Sequence, residues 1–143
     1  MKIAIGGDHA GFDLKLKVIK KLEENGHFVK DFGPYSKESC DYPDYVHPLA
    51  QAVESKEYKY GIIICGSGNG VNMVANKYQG IRSGLCWEPS LAEMTRLHND
   101  ANILAVPARY IPEDLGLEIV DTFIKTEFEG GRHQRRVDKI KCV

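Results

Sequence analysis

Short apolar runs alternate with longer segments of helical periodicity from one end of this chain to the other. Lys2 to Gly6 has the length and apolar centre of a buried strand. Phe12, Leu16, Ile19 and Leu22 then recur on one helix face, which Asn25-Gly26 closes. His27 to Phe32 reads as a second strand. A loop containing Asp41-Tyr42-Pro43-Asp44 leads into a helix running to about Glu57, and Tyr60-Gly61-Ile62-Ile63-Ile64 forms a third strand. Beyond the glycine-rich CGSGNG, residues 65–70, the stretch Val71 to Lys77 has the composition of a helix. Gly80 to Cys86 is a fourth strand. Pro89 suits the first turn of a helix that runs to His98-Asn99-Asp100, Ala101 to Val106 is a fifth strand, and a last long helix spans about Pro112 to Thr126. Glu129-Gly130-Gly131 breaks the chain before a short basic tail. Strands alternating with helices, without repeats or a linker, predict an α/β protein built on a parallel sheet of about five strands.

Composition narrows this to one domain. With 143 residues, 43% of them hydrophobic, the chain can bury one ordinary core, so residues 1–143 are expected to form a single domain. Nineteen basic against twenty acidic residues leave a formal charge of -1, which gives no global field toward nucleic acid or a membrane. The N-terminus turns glycine-rich after a short apolar stretch, unlike a signal peptide, and no run approaches membrane-spanning length, so a cytoplasmic protein is expected. Cys40, Cys65, Cys86 and Cys142 are widely spaced with no C-x-x-C pair, arguing for reduced thiols rather than a zinc site or disulfides.

In parallel α/β sheets ligands collect beyond the C-terminal strand ends. Three of those ends carry glycines or reactive groups here: Gly6-Gly7-Asp8-His9-Ala10-Gly11, CGSGNG and Pro107-Ala108-Arg109. CGSGNG lacks the Lys and Ser/Thr of a P-loop, and Val71 stands where the dinucleotide fingerprint needs its third glycine. Glu88, after the next strand, lies near where a ribose-binding acid would be expected, which keeps a non-catalytic nucleotide-binding module as a rival reading. Cys65 ends its strand where a helix dipole begins, so its thiolate is expected to be stabilised and its pKa lowered, making it a candidate base. The amides of Gly66 to Gly70 offer a nest for a developing oxyanion, with the Ser67 hydroxyl beside it. Cys86 keeps the bland reading of core packing. In the tail, Arg132 and Arg136 lie four apart on one helix face, and residues 132–141 carry five basic side chains against Asp138, a grip suited to a compact dianion. His9 and Arg109 would serve the same phosphate. No aromatic residue interleaves these charges as a nucleic-acid surface would need. Asp8 and His98 are the remaining titratable candidates, each explicable as a helix-end residue, and no spacing among His9, His98 and Asp8 resembles a metal site.

Gly7-Asp8-His9-Ala10-Gly11, Asp41-Tyr42-Pro43, CGSGNG, Ala75-Asn76-Lys77, Gly80-Ile81-Arg82, His98-Asn99-Asp100-Ala101-Asn102 and Glu129-Gly130-Gly131-Arg132-His133 together resemble the type B ribose-5-phosphate isomerases and the related galactose-6-phosphate and allose-6-phosphate isomerases. The likeness spans essentially the whole chain, with the motifs in the family's order. It implies a metal-independent, cofactor-free aldose–ketose isomerase on a single three-layer, Rossmann-like domain that forms a homodimer, with a tetramer also compatible, and shares its sites between subunits. It implies that Cys65 moves the proton between C1 and C2, while Ser67 and the amides of Gly66, Gly68, Asn69 and Gly70 hold the enediolate. His98 would assist ring opening and Asp8 would handle the sugar hydroxyls. Tyr42 and Asn99 would line the sugar site, and His9, Arg109, Arg132 and Arg136 would bind phosphate. A subgroup with a glutamate base carries it where this chain has Val71 and lacks the cysteine, so this sequence resembles the cysteine type. Ribose 5-phosphate is the expected substrate, ahead of the two hexose phosphates.

Overall fold

A computed structural model describes residues 1–143. Five strands, β1 (Lys2–Gly7), β2 (Phe28–Asp31), β3 (Tyr60–Cys65), β4 (Ser83–Leu85) and β5 (Ile103–Pro107), pair in parallel in the order β2-β1-β3-β5-β4. Six helices connect and flank them: α1 (Phe12–Glu24), α2 (Pro43–Glu54), α3 (Asn69–Ala75), α4 (Pro89–Leu97), α5 (Glu113–Lys125) and α6 (Arg132–Asp138).

The central strands are apolar on both faces, as a parallel sheet covered on both sides requires. Ile62 and Ile64 of β3, with Leu104 and Val106 of β5, face Leu14 and Val18 of α1 and Ile119 and Phe123 of α5. Ile63 and Cys65, with Ile103 and Ala105, face Val46 and Leu49 of α2 and Val71 and Ala75 of α3. The result is the three-layer arrangement that the alternation of elements predicts.

Two boundaries differ from the sequence reading for a visible reason. β4 is shorter than Gly80–Cys86 because side chains hold its approach: the Gly80 N–H donates to Glu54 Oε1 at 2.8 Å and the Arg82 N–H to Asn102 Oδ1 at 2.8 Å. α3 begins at Asn69 rather than Val71, so the last residues of CGSGNG belong to the helix, and Gly68 before it holds φ of 78°, a conformation that favours glycine. Lys15, buried in α1, bridges Asp31 at 3.0 Å and reaches the Pro34 carbonyl, which anchors the segment leading to Tyr42.

The strand order decides where a site can be. The chain leaves β1 for β2 on one side and returns to β3 on the other, so its direction switches between β1 and β3, where α/β sheets open a crevice. It then skips a place to form β4 and comes back to insert β5 beside β3.

Candidate active site

Three strand ends meet at this switch point. The Asp8 N–H donates to the Ile64 carbonyl at 3.1 Å, the Ala108 N–H to the Cys65 carbonyl at 2.8 Å, and the Arg109 N–H to the Gly66 carbonyl at 3.0 Å. Gly7 and Gly11 permit the contact between the first two ends, since a side chain at Gly11 would place its Cβ 2.4 Å from the Ile64 oxygen. Asp8 caps the short turn His9–Gly11, its Oδ1 accepting from the Ala10 and Gly11 amides at 2.9 and 3.2 Å. His9 Nδ1 accepts from the Cys40 N–H at 3.4 Å. Arg109 is exposed and folds its guanidinium over Gly66, with Nη1 3.2 Å from where a Cβ would stand. On the opposite rim, the Tyr42 ring closes on Gly70, leaving 2.5 Å to a Cβ there.

At the centre, Cys65 is 5% exposed and its Sγ accepts the Gly68 N–H at 3.0 Å. The expected lowering of its pKa is reversed. Burial pushes the thiol above its ordinary range, and the negative charge of Asp8 adds to that. The amides of Gly68, Val71 and Ser67 pull the other way without overcoming it. The helix end does not offset this, because Cys65 precedes the seven-residue α3 by four positions and dipole effects fade within a turn. Cys86, with no amide donors to offset its burial, is pushed up to about 12. Of the two thiols ending neighbouring chain strands, only Cys65 lies among backbone donors. Ser67 Oγ accepts the Asn69 N–H at 3.2 Å and so shapes the loop as well as lining it. Next to Ser67 and Asn69 opens a cavity of about 470 Å³, walled by Leu85, Trp87 and Tyr110.

The structure gathers Asp8, His9, Tyr42, Cys65, Gly66, Ser67, Gly68, Asn69, Gly70 and Arg109 at this end of the sheet. His98, Asn99, Arg132 and Arg136 are elsewhere. His98 and Asn99 follow α4 and precede β5, at the N-terminal ends of the strands, where Asn102 already accepts the Gly61 N–H at the start of β3. Five residues of β5 alone span about 13 Å between the two ends. The tail stays with the second group: the Glu129 N–H donates to the Leu97 carbonyl at 3.1 Å, and Gly130 and Gly131, at φ of 70° and 55°, then turn the chain into α6. α6 then stacks His133 on His98, ring centroids 4.3 Å apart and planes 15° from parallel. Arg132 and Arg136 remain exposed beside them.

The sequence reading missed Glu129 and His133. Glu129 Oε2 lies 3.8 Å from both His98 Nε2 and His133 Nε2, and the three donor atoms all fall within 4.8 Å of one another. Residues 98 and 129 are too far apart in sequence for spacing to show this; only the Gly130-Gly131 turn hinted at it. Burial first, then the neighbouring His98, holds the His133 ring below the ordinary histidine range.

The rival nucleotide reading loses its acid. Glu88 stands after β4, which β5 separates from β3, whereas the fingerprint needs the acid on the strand adjoining the glycine-rich loop. Its carboxylate instead accepts the Ser90 hydroxyl at 2.8 Å at the start of α4.

A buried thiol inside a nest of amides, with an arginine and a histidine at the rim, suits proton transfer on a small anionic carbonyl compound at a sheet switch point. The comparisons with known proteins agree with that class. Residues 3–140 match the family described as Ribose/Galactose Isomerase, and the chain belongs to it. It is 45% identical over 142 residues to ribose-5-phosphate isomerase B of Escherichia coli (strain K12), covering 99% of this chain and 95% of that protein. A solved ribose 5-phosphate isomerase from Thermotoga maritima superposes with a TM-score of 0.96 at 51% identity, over 99% of this chain and 98% of that one. Ribose-5-phosphate isomerase B from Mycoplasma genitalium, solved with bound ribulose-5-phosphate, gives 0.93 at 40% identity, over 97% and 93%. No helix is long and apolar enough to cross a membrane.

Proposed function

We propose that residues 1–143 act as one isomerase domain that interconverts ribose 5-phosphate and ribulose 5-phosphate through an enediolate. The observation that carries this reading is Cys65 Sγ within reach of the Gly68 amide, at the switch point and beneath Arg109. As thiolate, Cys65 takes the proton from C2 of the open aldose. The electrons of that C–H bond form the C1–C2 double bond and those of the carbonyl move onto O1; the same proton then returns to C1 while the O2 hydroxyl proton passes to O1, which gives the ketose. The Ser67 hydroxyl and the amides of Gly66 to Gly70 hold the oxyanion in a setting already arranged for it. Tyr42 and Asp8 contact the sugar hydroxyls, while His9 and Arg109 take one side of the phosphate. No metal or organic cofactor has a part in this scheme.

The ring must open first, and the phosphate needs more than one cation. His98, Asn99, Arg132 and Arg136 supply these functions from a second copy of the chain, in a homodimer whose two sites are each built from both subunits. Their position at the far end of the strands from Cys65 supports this division. Trp87 and Tyr110, 53% and 76% exposed beside the nest, offer the partner an apolar surface. A base that must stay a free thiol, among four free cysteines, fits the reducing cytoplasm.

Turnover of ribose 5-phosphate, galactose 6-phosphate and allose 6-phosphate, measured side by side on the parent and on Cys65→Ala, tests the reading. Preference for the pentose, lost in Cys65→Ala with binding retained, is expected; inactivity of the parent on all three would overturn it.

A further inference from the structure

The His98–Glu129–His133 cluster has a feature that sugar chemistry does not use. His133 is 7% exposed, and its Nε2 has no hydrogen-bond partner although it points at the cluster. At 3.8 Å the Glu129 carboxylate is too far to be one. A buried ring nitrogen left without a partner calls for a water or an ion. Here the neighbours that would share such a guest are a second imidazole and a carboxylate, the donor set that zinc-class ions take.

We propose that His98, Glu129 and His133 form a site for a divalent transition-metal ion of the zinc class, which binds through both Nε2 atoms and Glu129 Oε2 and thereby takes possession of the His98 ring. Neighbouring donors around a tetrahedral zinc lie about 3.3 Å apart, given bonds of about 2.0–2.2 Å. The two 3.8 Å separations are therefore within about half an ångström of what is needed, and the remaining pair is within 4.8 Å. The stacked rings present their lone pairs side by side, so they do not yet converge on one point. His98, with 40% of its side chain exposed, supplies the adjustment by turning, while buried His133 keeps its place and the exposed Glu129 carboxylate follows. Three protein donors leave a fourth position for water. The hard ion Mg²⁺, which favours oxygen ligands, is rejected.

The ion is an inhibitor rather than a cofactor: with its Nε2 on zinc, His98 can neither take nor give the ring-opening proton. That consequence rests on the proposed role of His98, but the binding does not. The test titrates Zn²⁺ into the full chain against a coloured chelator, in buffer free of phosphate, with Co²⁺ as a spectroscopic probe of geometry. One ion per chain with micromolar affinity and a tetrahedral Co²⁺ spectrum lacking thiolate charge-transfer bands is expected. Glu129→Gln and His133→Gln should each weaken binding at least about tenfold, because losing a ligand costs no less than losing a residue that merely orients one. Cys40→Ser and Cys142→Ser should leave it intact. A Kd weaker than about 1 mM, or affinity unchanged in Glu129→Gln, overturns the proposal, as does a thiolate signature in the cobalt spectrum. Zinc that binds as described but leaves isomerase activity untouched would uphold the site and remove His98 from ring opening.

Discussion

Mixing two inactive variants tests the shared site directly. Cys65→Ala removes the base and His98→Gln the ring-opening group, so in each homodimer every site lacks one of them. If Cys65 of one chain works with His98 of the other, a heterodimer contains one site with both groups intact and one with neither. Random exchange at equal amounts makes half the dimers mixed, so about a quarter of all sites, and about a quarter of parental activity, returns. The structure sets this expectation because β5 alone puts about 13 Å between the His98 end of the strands and the Cys65 end, while proton transfer works within about 3 Å. Neither change should unfold the chain. Cys65→Ala takes an acceptor from the Gly68 N–H, a loss of about 1 kcal/mol, and His98 is half-exposed. Differently tagged chains, pulled down to prove exchange, are assayed with ribose 5-phosphate. No recovery despite proven exchange would put both groups in one chain's site and refute the division.

Arg132→Ala or Arg136→Ala should weaken sugar-phosphate binding by about one to two powers of ten, from about 1.5–3 kcal/mol per charge-assisted contact. Calorimetry should show the loss for ribose 5-phosphate and none for unphosphorylated ribose; equal effects on both would make α6 an ordinary solvated helix. Gly70→Ala should raise KM by about tenfold by pushing Tyr42 aside, while adding up to about 1 kcal/mol of helix propensity, so thermal stability holds as binding falls. A drop in stability with unchanged KM would count against Tyr42 as a sugar contact. Cys86 makes a prediction about pH. Its folded-state pKa, raised to about 12, means that the folded chain keeps a proton which the unfolded chain gives up near 9, so its contribution is whole below about pH 9 and drains away as pH rises toward 12. Unfolding free energies from urea titrations, followed upward from about pH 8, should fall less steeply in Cys86→Ala, by at most about 1.4 kcal/mol per pH unit. Parallel slopes would show that the thiol is not shielded as described, and activity at neutral pH should survive the substitution.

Periodicity and punctuation determined much of this protein without a fold. The five expected strands all formed, the central β1, β3 and β5 because a sheet buried on both faces needs continuous apolar segments, and Asn25-Gly26 and Pro89 ended and began helices where their backbone preferences require. CGSGNG announced a glycine turn that gathers backbone amides at a strand end, where the Gly68 N–H donates to Cys65 Sγ, for such a turn is a local property of sequence. What the sequence could not decide was anything depending on who sits beside whom. The charge state of Cys65 turned on burial against amide donation, and only packing gives that balance. The failure of Glu88 as a ribose acid turned on β5 inserting between β3 and β4, a matter of strand order rather than strand identity. The family resemblance makes Cys65 and His98, 33 positions apart, members of one site shared between subunits, but the sequence does not say which chain supplies each. The parallel sheet set them at its opposite ends and brought His98 instead to Glu129 and His133, because a strand reverses nothing and separates whatever precedes it from whatever follows.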